Sequence, residues 1–173
     1  MSAFKPKKRA RPELEVRASE EADQSWIEHL WRDRWGGTEM VVREEVFPLR
    51  QLQALVAWRG SVRVGLATFR IDSTVCEILS LDSVQPNRGV GTALLQAMAE
   101  CARASGCEHL RTTTTNDNLR ALRFYQKRGF VLRELRPGSL NRARQRKPQI
   151  PLVGAEGIAL RDEIELERWL GSA

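Results

Sequence analysis

The chain has 173 residues, which at ~100–200 residues per domain predicts a single domain. Hydrophobic residues make up 42% and charged residues 29%, a balance that excludes a disordered, collagenous or coiled-coil chain. The net charge of +6 sits in two patches: residues 1–12 and 136–147 each hold five basic side chains and no acid, while the rest is net acidic.

Basic clusters of this kind suit nucleic acid or phosphates. Aromatic and basic residues do not interleave over the body, so nucleic acid is not an expected partner. No apolar run approaches ~18 residues, and no membrane span is expected. No apolar segment follows the basic N-terminus as in a secretory signal, so the expected location is cytoplasmic. Cys76, Cys101 and Cys107 are too few, and odd in number, for a disulfide framework. With only His29 and His109 beside them they match no zinc spacing, and no metal is expected.

Residues 1–12 contain Pro6 and Pro12 and little to bury, and read as a disordered basic tail preceding one domain over 13–173. Leu14 and Val16 alternate with charges as in a short strand. Trp26, Ile27, Leu30 and Trp31 give residues 20–34 a helical stripe, with Ser19 as N-cap and Gly36-Gly37 as stop. Residues 39–47 form one short element before Pro48. Strands are expected over 53–59 and 62–71, joined by Gly60-Ser61, and over 75–82. The 62–71 strand is apolar on both faces, as a covered central strand would be. Leu94, Leu95, Met98, Cys101 and Ala102 then mark a helix over 91–105, stopped by Gly106. A threonine-rich strand over 108–115, a helix over 117–128 and a strand over 130–135 follow. The segment 137–157 is irregular, with a short helix at 139–146. Ile158, Leu160, Ile164 and Leu166 alternate with acids in a last strand. Hairpins followed by helix crossovers predict a mixed α/β sheet with helices on both faces.

The chemistry concentrates in Ser83-Val84-Gln85-Pro86-Asn87-Arg88-Gly89-Val90-Gly91-Thr92. Here a strand runs through a glycine-containing loop into a helix. Glycines let backbone N–H groups approach an anion, the helix dipole adds positive potential, and Arg88 adds a full charge. The stretch is a pyrophosphate cradle by its physics, or a tight strand–helix turn that holds no ligand. It lacks the Gly-Lys-Ser/Thr of a Walker A loop, and Leu94 stands where a dinucleotide fingerprint has its third glycine.

Arg88-Gly89-Val90-Gly91 with the following Thr92-Ala93-Leu94-Leu95, and later Asn118, Ala121, Tyr125, Gln126, Lys127, Gly129 and Phe130, resemble the two spaced motifs of the GNAT superfamily of N-acetyltransferases. The resemblance covers roughly 75–171. One departure is Pro86, which occupies the family's leading Gln/Arg position and has no N–H to offer a phosphate. The resemblance implies a mostly antiparallel twisted sheet splayed between its fourth and fifth strands. It implies acetyl-CoA as cofactor, coenzyme A as product, and direct transfer to a primary amine in a ternary complex. The acceptor would be a small molecule or a peptide, and a homodimer is left open.

Residue by residue, the pantetheine arm would pair with Leu81, Asp82, Ser83 and Val84. The pyrophosphate would sit on Arg88, Gly89, Val90, Gly91 and Thr92. Asn118 would touch the pantetheine, or serve only the start of its helix. Tyr125 would donate a proton to the departing thiolate, or only pack in the core. Glu77, in an otherwise apolar strand, would be partly desolvated and raised toward the range of a useful base; Asp82 competes for that role, and water is a third choice. Glu77 and Trp35 would meet the acceptor, and Asp33, Glu39, Glu44 and Glu45 could draw in its cation. The segment 136–147 would contact the CoA phosphates or form a lid. A non-catalytic acyl-CoA-binding regulator is the alternative function.

Overall fold

The computed structural model describes residues 12–86 and 88–171. The expected disordered tail lies outside these residues, apart from Pro12. Among the described residues, nine strands and four α-helices form. In chain order they are β1 Leu14–Ala18, α1 Gln24–Trp35, β2 Glu39–Val42, β3 Glu45–Pro48, β4 Gln53–Arg59, β5 Val62–Asp72 and β6 Val75–Ser83. Then come α2 Val90–Ala104, β7 His109–Thr115, α3 Leu119–Gln126, β8 Val131–Arg136, α4 Ser139–Arg146 and β9 Glu163–Trp169.

Seven strands make one sheet in the order β1-β4-β5-β6-β7-β9-β8, and β2 and β3 form a separate hairpin. Every pairing in the large sheet is antiparallel except β6 with β7, the two strands joined through α2. Both faces are covered. Leu94, Leu95 and Met98 of α2 and Tyr125 of α3 bury one face with Val64, Phe69 and Ile78. Ile27, Leu30 and Trp31 of α1 bury the other, with Met40, Val42 and Phe47 of the hairpin and Val56, Leu66 and Leu79 of the sheet. A third, smaller cluster joins Leu140 and Ala143 of α4 to Leu160. β5 is buried at six consecutive positions, as its two-faced apolar pattern predicts. Gly65 in that strand is required by α2: a Cβ there would fall 2.4 Å from Val90 Cγ1 and 2.9 Å from the Asp82 carbonyl oxygen.

Four expectations need correction. The first helix begins at Gln24, after a 3-10 turn over Glu21–Asp23. Ser19 does not cap it; its N–H continues the β1 ladder to Ala54 O at 2.9 Å. The local donor is met instead by buried Asp23, which accepts the Glu20 N–H at 2.9 Å. The region 39–47 is two strands rather than one element. Its turn residues, Arg43 and Glu44, have φ of 51° and 66°. A two-residue hairpin turn with both φ positive ordinarily calls for Asn-Gly. Here tertiary contacts hold it: Arg43 N–H meets Glu163, and the Arg43 guanidinium meets Glu77 and Thr113. The last strand starts at Glu163, five residues later than its alternation begins, because residues 158–162 fold back along 150–154.

Candidate active site

The sheet divides at β6. β5 and β6 stay paired to Ser83, but β6 and β7 pair only over Val75–Ile78. The register of β6 against β5 slips at Leu79: Phe69 faces Ile78 while Thr68 faces Ser80. Such a bulge increases twist and turns the strand. Beyond it, the edge of β6 over Leu79–Ser83 has no strand partner on the β7 side among the described residues. Its backbone groups are thus free to pair with an extended ligand, as an open sheet edge does.

A cavity of about 600 Å³ occupies this split. Leu81, Asp82 and Ser83 form one wall, Asn118 and Tyr125 another, and Gly89, Val90, Gly91 and Thr92 its end. Gly89 precedes the first turn of α2 with φ of 80°, a conformation that glycine adopts without strain. The first helical hydrogen bond to it is donated by Ala93, at 3.0 Å. The N–H groups of Val90, Gly91 and Thr92 therefore precede the ladder, where helix N-termini bind anions. Val84 and Arg88 are exposed and lie outside the cavity wall.

The cationic wall is one the sequence reading overlooked. Arg120, Arg123, Lys127 and Arg128 all line the cavity from α3 and its end. The Arg128 guanidinium lies 3.7 Å over the Phe124 ring, donates to Phe124 O at 2.9 Å and reaches Thr92 Oγ1 at 2.6 Å. The spacing of these basic residues on one helical face was the available signal. The segment 136–147 lies elsewhere. Arg136 pairs with Glu165, Arg142 with Glu44, and Arg144 donates to the carbonyls of Ile150, Pro151 and Leu160. None of its residues lines the first cavity.

Tyr125 is buried at the fork of the split. Its ring makes edge contacts with Phe124 and Phe130, at centroid distances of 5.2 and 5.1 Å. Burial pushes its phenol up to about 12, with Thr112 opposing in part, so it holds its proton near neutral pH. Thr112 sits opposite Ile78, the last paired position of β6 and β7. Asn118 caps α3: its Oδ1 accepts the Ala121 N–H at 3.0 Å, and the residue also lines the cavity. The local and the ligand-facing readings of Asn118 are thus geometrically compatible.

Asp82 faces the α1 side, where Trp35 Nε1 donates to its Oδ2 at 3.1 Å. Burial pushes its carboxyl above the usual range, and hydrogen bonds from Trp35 and Ser80 and the charge of Arg34 offset only part of this. Glu77 is also buried, but it is not a free carboxylate. It is clamped between Arg43 and Arg70, the latter at 2.9 Å, and lines neither cavity. Of the other acids, Glu44 pairs with Arg142 and Glu45 with Arg70, and Asp33 and Glu39 line neither cavity.

A second cavity, about 410 Å³, opens on the α1 side of the split. It shares Arg34, Trp35 and Asn118 with the first, so the two meet beside Trp35, whose hydrogen-bond partner Asp82 lines the first. Segment 147–151 and α4 roof it. The roof is fastened by Lys147, which donates to Trp35 O at 2.5 Å and Glu39 O at 2.8 Å. None of the three cysteines lines either cavity, and burial pushes the Cys76 thiol up to about 12, far from a reactive thiolate.

A mixed sheet split beside a glycine-turned helix N-terminus leaves room for an extended ligand that carries phosphates. The chain belongs to the GNAT family of acetyltransferases, whose pattern residues 17–130 match. It is 43% identical over 131 residues to the uncharacterized protein YdhI of Bacillus subtilis, covering 75% of this chain and 82% of that one. Its fold is similar to that of a Bacillus subtilis acetyltransferase solved in complex with CoA. That likeness has a TM-score of 0.70 at 20% identity and covers 91% of this chain and 99% of the other. A GNAT family acetyltransferase from Elizabethkingia anophelis with acetyl-CoA bound superposes with a TM-score of 0.67 at 17% identity, over 90% and 97% of the two chains.

Proposed function

We propose that the protein transfers an acetyl group from acetyl-CoA to a primary amine, directly, with both held at once. The observation that carries this reading is the meeting of two cavities beside Trp35, with a half-buried carboxylate and a buried phenol both on the wall of the first. Acetyl-CoA supplies the activated acetyl thioester. The amides of Val90, Gly91 and Thr92 and the cations of α3 suit its phosphates, and the free edge of β6 suits its extended arm. The residues present therefore fit the group.

Asp82 Oδ takes the proton that an ammonium must lose before it attacks. Its raised carboxyl makes it a better base than an ordinary aspartate, and Trp35 fixes its orientation. Tyr125 Oη delivers a proton to the leaving thiolate, whose solution pKa is near ~8.5. A phenol pushed to about 12 remains protonated until that moment. Holding the two reactants together can itself supply ~7–11 kcal/mol of the barrier. Glu77 has no part in this reading, since its charge is already spent on two guanidinium groups.

The test is a panel of primary amines with acetyl-CoA, following free thiol release, alongside melting curves with CoA. Ligand at a hundredfold its Kd adds ~2.7 kcal/mol and raises Tm. An unchanged melting curve at saturating CoA and acetyl-CoA would overturn the cofactor assignment. A clear Tm rise with no acetylation of any amine would instead favour the non-catalytic acyl-CoA-binding regulator.

A further inference from the structure

The second cavity is the acceptor's site if the protein is an amine acetyltransferase, and its walls restrict what the acceptor can be. Met40, Val42, Leu79, Leu140, Ile150 and Leu160 give them an apolar stretch. At about 410 Å³ the space is of the size that holds small molecules, whose pockets run from ~300 to ~1,000 Å³.

Many of the polar groups facing this space are committed to the protein, while Thr114, Gln149 and the Asn118 side-chain N–H groups have no hydrogen-bond partner among the described residues. The Lys147 ammonium is shared between two backbone carbonyls. Asp117 accepts the Ala155 N–H at 2.8 Å with one oxygen and the Thr115 hydroxyl with the other. The Thr113 hydroxyl accepts from Arg43 at 3.3 Å. Glu163, buried, accepts the Arg43 N–H at 3.2 Å on each oxygen, and burial raises its carboxyl despite that bond and the nearby charge of Arg136 and Arg43. Arg34 is exposed and stands at the junction with the first cavity, not among the apolar walls. A heavily hydroxylated body would therefore lose more water than these few free side chains replace, and an anion at the far end would meet Glu163.

We propose that the acceptor is a primary amine carried on an apolar aliphatic or aromatic body, whose far end is uncharged or cationic but not anionic. This rests on the acetyltransferase reading above. The amine nitrogen lies at the Trp35–Asp82 junction, and the body extends under the roof formed by α4 and residues 147–151.

The experiment compares kcat/KM for n-propyl-, n-butyl-, n-pentyl- and n-hexylamine, 4-phenylbutylamine, 6-aminohexanoate and glucosamine, all with acetyl-CoA. Each added methylene is expected to raise kcat/KM about fourfold, the value of a buried CH₂. 6-Aminohexanoate, which differs from hexylamine chiefly by its terminal carboxylate, is expected to fall at least a hundredfold below it. Ile150→Asp, a change in the roof loop, is expected to lower hexylamine kcat/KM tenfold or more and to keep the CoA-induced rise in Tm. A flat alkyl series, or 6-aminohexanoate or glucosamine matching hexylamine, overturns the inference while leaving the acetyltransferase intact. Failure of every amine, polar and apolar, overturns both.

Discussion

In the proposed reaction, Tyr125 and Asp82 divide the proton chemistry by environment. Tyr125→Phe removes one oxygen and keeps the ring between Phe124 and Phe130. Single-turnover rates are expected to fall by ~10²–10⁴, the usual worth of a general acid, with CoA affinity nearly unchanged. Retention of more than about a third of the wild-type rate would make the tyrosine structural. Asp82 carries a pH signature. A base works only when deprotonated, so kcat/KM falls as pH drops through its folded pKa. That pKa is raised by burial, so the acid limb lies above the ~3.9 of a free aspartate. Asp82→Asn keeps an acceptor for Trp35 Nε1 but not the base; it should lose the limb as well as the rate. A limb that survives in the variant would transfer the base role to another group.

The element that defines the proposed cofactor site is the junction of β6 with α2. Three features converge there: the bulge at Leu79 that frees the β6 edge, the left-handed Gly89, and the close approach of β5 to α2 at Gly65. Gly89→Glu places a carboxylate beside amides suited to phosphate and forces a side chain into φ of 80°. CoA is expected to stop raising Tm in this variant, with the ligand-free protein still melting cooperatively. No Cβ contact within 4 Å opposes the new residue, so the loss belongs to charge and backbone rather than to packing. A normal CoA-induced shift would place the phosphates elsewhere.

Across the whole molecule, the β2–β3 turn, β7, β8 and β9 are tied by an arginine–glutamate ladder. Glu165 is at its centre, 3% exposed, with Arg133 and Arg136 each at 3.1 Å, Arg111 at 3.4 Å and Arg43 at 3.6 Å. Removing one partner of a buried pair costs ~3–5 kcal/mol. These arginines keep 19–45% of their side-chain exposure, so Glu165→Gln should cost about 3 kcal/mol, the low end. Urea denaturation at pH 7 measures it. A loss under about 0.5 kcal/mol would mean that water already screens the ladder, as in surface ion pairs. Because Arg43 belongs both to this ladder and to the strained hairpin turn, the same variant should also loosen the wall formed by Met40 and Val42.

Most elements were legible from local pattern because their signals are local. Leu94, Leu95 and Met98 on one stripe, closed by Gly106, place α2 within a residue at each end. The cradle at Gly89 and the N-terminal position of Asn118 are likewise properties of a few adjacent residues. The β2–β3 hairpin was not legible, because its turn has no glycine and depends on acids more than thirty residues away. The ion pairs of Glu77 were not legible for the same reason: an acid in an apolar strand looks free until Arg43 and Arg70 arrive from other elements. The Trp35–Asp82 bond joins residues 47 apart, and the roof held by Lys147 joins residues more than 100 apart. Period, turn chemistry and helix stops act over one or two turns of chain, so the sequence by itself determined the elements and the anion cradle. Ion pairing and cavity shape depend on which distant side chains come together, so only the tertiary structure decided that Glu77 is paired with two arginines while Asp82 meets Trp35, and how the second cavity is lined.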